Sequence, residues 1–138
     1  MKYLLDTNTC IRHLNQRSAP VTERLQRMDE GDIVVCSIVK GELYLGAMKS
    51  QTPELTMRKQ RAFVERFVSL PFDDDAALNY ARIRADLEIA GTPIGANDLM
   101  IAAIVLTHDL ILVTHNVKEF GRITGLKIED WEGGNESR

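Results

Sequence analysis

The sequence predicts an α/β fold of three layers, in which a mostly parallel central sheet is flanked by helices. Three observations predict it. Tyr3-Leu4-Leu5, Ile33-Val34-Val35-Cys36 and Ile111-Leu112-Val113-Thr114 are short aliphatic runs without strict alternation, the pattern of strands covered on both faces. Segments of helical period separate these runs, so the chain returns to the sheet through helices, as parallel pairing requires. No internal repeat is visible, and right-handed crossovers narrow the topologies further.

After the first strand, Pro20 stands as a first-turn proline, Val21, Leu25 and Met28 recur at helical spacing, and Gly31 is placed to terminate the helix. The second strand runs into a helix for which Ser37 is the expected N-cap. Ile38, Leu45 and Met48, with Leu43 and Ala47, form its expected apolar stripe. Thr52-Pro53 opens the next helix, with Leu55, Ala62, Phe63 and Phe67 expected to pack and a hairpin expected with its predecessor. Val68 to Phe72 reads as a further strand, cut short by Pro71. Asp73-Asp74-Asp75 caps a helix carrying Ala76, Tyr80, Ile83, Leu87 and Ala90, and Gly91 supplies the C-terminal cap. The Gly- and Pro-rich stretch 91–96 is a loop. Asn97 is the expected cap of a helix apolar nearly all round from Leu99 to Leu106, which belongs at the centre. After the strand at 111–114 come a turn or short helix around Lys118 to Gly121 and an edge strand, Leu126-Lys127-Ile128.

At 138 residues, 44% of them hydrophobic, the chain matches one domain with a sufficient core. Residues 1–131 form that domain, and 132–138 read as a polar C-terminal tail. The opening apolar run is too short for a signal peptide and is interrupted by Asp6. Leu99 to Leu106 falls far short of a membrane span. Cys10 and Cys36 lack C-x-x-C spacing, so reduced, partly buried thiols and a cytoplasmic setting without membrane attachment are expected. The net charge of −3 is carried entirely by residues 129–138, where four acids face one arginine. The body is therefore neutral overall. Within it, Lys49, Arg58, Lys59, Arg61 and Arg66 against Glu54 and Glu65 make residues 49–66 locally +3, either a solvated helix face or a surface that attracts phosphates.

The informative charges are acids placed where an apolar element should be. Asp6 follows the first strand directly, at the sheet edge where ligands of open parallel sheets bind. Asp98 opens the most hydrophobic helix, and Glu42 lies just inside the helix after the second strand, so both belong to the same edge. Each has an ordinary structural reading: Asp6 as a turn cap, Asp98 as a complement to a helix dipole, Glu42 as a surface residue beside Lys40. Convergence is more telling. Two such charges about 4 Å apart repel by roughly 4 kcal/mol at an effective dielectric near 20. Protonation or a bound cation must relieve that repulsion, and oxygen ligands select Mg²⁺, or Mn²⁺ in its place, over zinc. A hard cation so held supports phosphodiester hydrolysis without a serine or histidine nucleophile. Thr114 and Asn116 continue the same edge, whereas His13, His108 and His115 have no metal-type spacing.

Leu4-Leu5-Asp6-Thr7-Asn8, the Ser37-to-Glu42 stretch with Gly41-Glu42-Leu43, Asn97-Asp98-Leu99-Met100-Ile101-Ala102 and Val113-Thr114-His115-Asn116 together resemble the PIN-domain family, and more narrowly its VapC-type toxins. The resemblance runs from Met1 to about Trp131, with the four pieces in the family's order. It implies a PIN-like fold, a magnesium-dependent endoribonuclease cutting structured RNA such as tRNA, a cognate antitoxin that inhibits it, and a homodimer. It makes Asp6, Glu42 and Asp98 the acids of the metal site. Asn116 takes the position where many members carry a fourth acid, a departure for which the nearby Glu119 is placed to compensate. The basic segment 49–66 becomes an RNA-facing or antitoxin-facing surface.

Two other readings compete. A PIN-fold module that binds RNA or a partner without efficient cleavage would follow from Asn116, but three acids are intact. A phosphoryl-transfer domain would also place an aspartate after a parallel strand. Yet Asn8 stands where the phosphatase pattern has a second aspartate, and no lysine follows the strand at 111–114.

Overall fold

The computed structural model describes residues 1–133. Five strands, β1 (Tyr3–Leu5), β2 (Ile33–Cys36), β3 (Val68–Leu70), β4 (Ile111–Val113) and β5 (Lys127–Glu129), form one sheet in the order β3-β2-β1-β4-β5, and every ladder is parallel. Every residue of β1 and β2 is buried, so helices must cover both faces, as the unbroken aliphatic runs require. The order differs from the 2-1-3-4-5 arrangement of receiver-type sheets, which disfavours the phosphoacceptor reading.

Seven α-helices fill the connections: α1 (Thr7–Leu14), α2 (Ala19–Arg27), α3 (Ser37–Met48), α4 (Pro53–Val64), α5 (Asp74–Ile89), α6 (Ala96–Thr107) and α7 (Val117–Phe120). The expected hairpin of α3 on α4 forms, and α5 packs along α6. Helix α6 is central, with Leu99 and all of Ile101 to Val105 buried. Asp73 caps α5 through the Ala76 N–H, and Gly91 follows its end at φ 75°, a left-handed conformation that a side chain would strain.

Several local expectations are corrected. Helix α1 was not signalled by an apolar stripe. It starts because the Asp6 carboxylate accepts the Thr9 N–H at 2.8 Å. Helix α2 ends at Arg27, so Gly31 terminates nothing and lies in the single 3₁₀ turn Glu30–Asp32. In α3 the buried residues are Val39, Leu43 and Ala47, while Leu45 and Met48 stand 58% and 66% exposed. Leu43 and Ala47 are buried as expected and Ile38 packs partly buried on the core, but Val39 takes the place expected of Leu45 and Met48, because apolar residues lie on more than one face of α3 and periodicity does not choose among them. Ala62 and Leu55 are likewise exposed on α4. Cys36, not Ser37, occupies the N-cap of α3, and Gly95, not Asn97, that of α6; neither provides a side-chain cap. Asn97 is engaged elsewhere. Of the expected tail, Glu132 is described and pairs with Arg12 at 3.1 Å; residues 134–138 lie outside the described residues.

Among the described residues, no helix is long and apolar enough to cross a membrane. Cys10 and Cys36 are both free and buried, and burial pushes the Cys36 thiol up to about 11.

Candidate active site

The C-terminal edge of the sheet gathers the acids. Asp6 leaves the end of β1, the strand on whose two sides the connections run in opposite directions. Ligands of open α/β sheets bind at such a reversal. Its N–H donates to the Val113 carbonyl at 3.1 Å, so the sheet ladder itself fixes its position. Asp6 is 6% exposed. Burial pushes its carboxyl above the ordinary carboxylate range, while hydrogen bonding by Thr114 and Thr9 pulls it back down.

Glu42 projects from α3 and has both oxygens engaged: the Thr7 hydroxyl donates to Oε1, and the Asn97 amide donates to Oε2 at 3.1 Å. Three elements, α1, α3 and α6, are thereby tied at one carboxylate. The sequence gives Asn97 only as a helix cap and Thr7 only as part of a motif, and neither as a partner of Glu42. The available signal was adjacency, since each precedes or follows a candidate aspartate directly.

Asp98 lies in the first turn of α6, half-buried, and no described residue donates a hydrogen bond to its carboxylate. Burial, followed by the charges of Glu42, Asp6 and Glu119, raises its carboxyl to about 6. Glu42, Asp6 and Glu119 thus each bear on the Asp98 carboxyl. Glu119, which the sequence placed to compensate for Asn116, is the fourth acid at this edge.

Asn116 precedes α7 and turns its amide to Glu119 Oε1 at 2.9 Å, while its backbone N–H donates to the Thr114 hydroxyl at 3.0 Å. It thus holds Glu119 in place of presenting a carboxylate of its own. His115 faces outward, its ring 3.0 Å from Asp130.

Among the described residues, no three His, Cys, Asp or Glu side chains stand together as a finished metal cage. The donor set nevertheless fits a hard divalent cation. It is all carboxylate, it leaves Asp98 unpaired, and Mg²⁺ characteristically keeps several waters and takes only one or two protein carboxylates.

The family profile described as PIN domain matches residues 3–126. The chain is 40% identical over 131 residues to the tRNA(fMet)-specific endonuclease VapC of Shigella flexneri, covering 95% of this chain and 98% of that one. It is 37% identical over 131 residues to Ribonuclease VapC2 of Haemophilus influenzae, with the same coverage of each chain. Among solved structures, the DNA-bound VapBC of Salmonella typhimurium superposes with a TM-score of 0.90 at 39% identity, over 95% of this chain and 98% of that chain. By the extent of these matches, the chain belongs to the PIN-domain family and to its VapC branch of nucleases.

Proposed function

We propose that the chain is a magnesium-dependent endoribonuclease of the toxin type, cutting structured RNA such as tRNA and held inactive by a cognate antitoxin. The observation that carries this reading is Asp98: a half-buried carboxylate without a hydrogen-bond donor among the described residues, pushed upward first by burial and then by the charges of Glu42, Asp6 and Glu119. Such a site gains stability when a cation enters and has little other use for its repulsion. Asp6 and Asp98 would hold the ion directly. Glu42, with both oxygens held by Thr7 and Asn97, would accept hydrogen bonds from its water shell. A bound divalent ion supplies water activation and stabilisation of the leaving oxygen. Thr114, buried at the end of β4, steadies Asp6, and Asn116 steadies Glu119.

Of the basic residues in 49–66, Arg66 is paired with Glu30 and Arg61 lies over the Tyr44 ring, which leaves Lys49, Arg58 and Lys59 exposed and without an ion-pair partner among the described residues. These would meet the phosphates of the RNA. An antitoxin, a second copy of the chain and a cytoplasmic location complete the reading. The antitoxin rests on relatives solved as VapBC assemblies, and the location on two buried free thiols.

The test is cleavage of tRNA by the purified, antitoxin-free chain with Mg²⁺ or with EDTA, beside Asp6→Asn and Asp98→Asn. Cleavage only with metal, lost in both variants, is expected. Cleavage that survives EDTA or both substitutions overturns the mechanism.

A further inference from the structure

Beside the acids lies a cavity of about 360 Å³ between α1, α3 and α4, within the range of small-ligand pockets, roughly 300–1,000 Å³. Leu14 and Leu55 supply apolar wall, Lys59 a cation, and Glu42 joins the cavity to the acidic edge. Gln60 also lines it and is the anomaly. It is 7% exposed, and its buried Oε1 has no hydrogen-bond partner among the described residues. An unpaired buried amide is destabilising, and a leucine of similar volume would occupy the same place without that penalty. Rotation of the last side-chain bond would turn that oxygen toward the cavity, where a donor from outside the chain could pair with it.

A nucleobase has the matching chemistry. Its flat faces pack on aliphatic side chains, and its edge presents a donor beside an acceptor, which a glutamine amide can pair with after rotation of its last bond. The Lys59 ammonium can then balance the attached phosphate. We infer that this cavity takes a nucleobase of the substrate RNA next to the scissile phosphodiester, and that Gln60 reads its hydrogen-bonding edge. The inference rests on the ribonuclease reading above and adds a specificity site to it.

The experiment uses the full chain carrying Asp98→Asn, so that RNA stays intact, and titrates fluorescent hexaribonucleotides of A, C and U with and without Gln60→Leu. The hexamers are expected to bind with a base preference. Gln60→Leu should weaken the preferred one about tenfold and flatten the preference, while the melting temperature stays equal or rises. Gln60→Glu, which keeps the shape but not the donor, should change which base is preferred. Binding and preference untouched by either variant, or failure of every hexamer to bind, overturn the subsite; the ribonuclease reading stands or falls separately, on cleavage of tRNA by the native chain with Mg²⁺. If Gln60→Leu loosens the antitoxin complex and leaves RNA binding unchanged, the cavity serves the protein partner and the inference falls.

Discussion

The Asn97 side-chain amide donates to Glu42 Oε2 at 3.1 Å across 55 positions of sequence, binding the start of α6 to the body of α3. With the Thr7 hydroxyl on the other oxygen, it fixes the orientation of an acid that would otherwise sweep through several rotamers. Asn97→Ala is therefore expected to reduce RNA cleavage about 10–100-fold and raise the Mg²⁺ concentration needed for half-maximal rate. Because Asn97 is exposed, the melting temperature should move little. A Mg²⁺ titration of the cleavage rate checks this, and an unchanged midpoint would remove the positioning role.

What the sequence revealed and what it hid divide along physical lines. Asp6, Glu42 and Asp98 stood out because a charge inside an aliphatic context needs a reason, and the strands at 3–5, 33–36 and 111–113 stood out because buried parallel strands are aliphatic throughout. Thr7, Asn97 and Gln60 did not. Polar, uncharged residues are common on helices, and their partners lie 35 or 55 positions away or are missing, so beyond the adjacency of Thr7 and Asn97 to an aspartate the local pattern carries no trace of these roles. Helix α1 escaped because its start depends on an Asp6 cap already assigned to the site. On α3 the buried Leu43 and Ala47 were legible and Val39 was not, because apolar residues on several faces leave the direction open until the neighbours are placed.

The metal-free protein should be more stable in mild acid. Asp98 titrates at about 6 when folded, against an ordinary value of 3.8, because of burial and the charges of Glu42, Asp6 and Glu119. The folded chain thus holds that proton more tightly than the unfolded chain. The corresponding stability is fully present below about 3.8 and is lost as the pH rises through about 6. In EDTA, the melting temperature is expected to climb as the pH falls from 7.5 to 5. Asp98→Asn should flatten most of that slope, and Asp6, also shifted upward, should leave a remainder. A slope identical in the variant would show that Asp98 does not carry the strain.

Divalent metal should relieve the same repulsion at neutral pH. A ligand bound only by the folded state adds about 2.7 kcal/mol at a hundredfold excess over its Kd, on the order of 8–10 °C for a domain of this size. Mg²⁺ or Mn²⁺ is expected to raise the melting temperature of the native chain and not that of Asp98→Asn. Differential scanning fluorimetry over millimolar metal decides it. A flat response in the native chain would mean that the acids do not act together on a cation.

RNA binding should be strongly salt-dependent through α4. Each phosphate neutralised contributes about −0.7 to the slope of log K against log salt for a single strand. Replacing Arg58 and Lys59 by alanine should lower the steepness by about 1.4 if both touch phosphate, with little change in stability at two exposed positions. An unaltered slope would assign these cations to a solvated face.

Asn116 offers the sharpest test of the departure from the family's fourth acid. Its amide now donates to Glu119 Oε1 at 2.9 Å, so Asn116→Asp exchanges a hydrogen bond for two opposed carboxylates at an edge where Glu119 already presses on Asp98. Without metal, the variant should melt lower than the native chain and show a steeper gain in stability on acidification. With Mg²⁺ it should recover more than the native chain does, because an added carboxylate strengthens the field that draws the cation. Equal melting temperatures for the two proteins in EDTA would mean that residue 116 lies outside the electrostatic reach of the acids, and that Glu119 alone supplies the fourth charge.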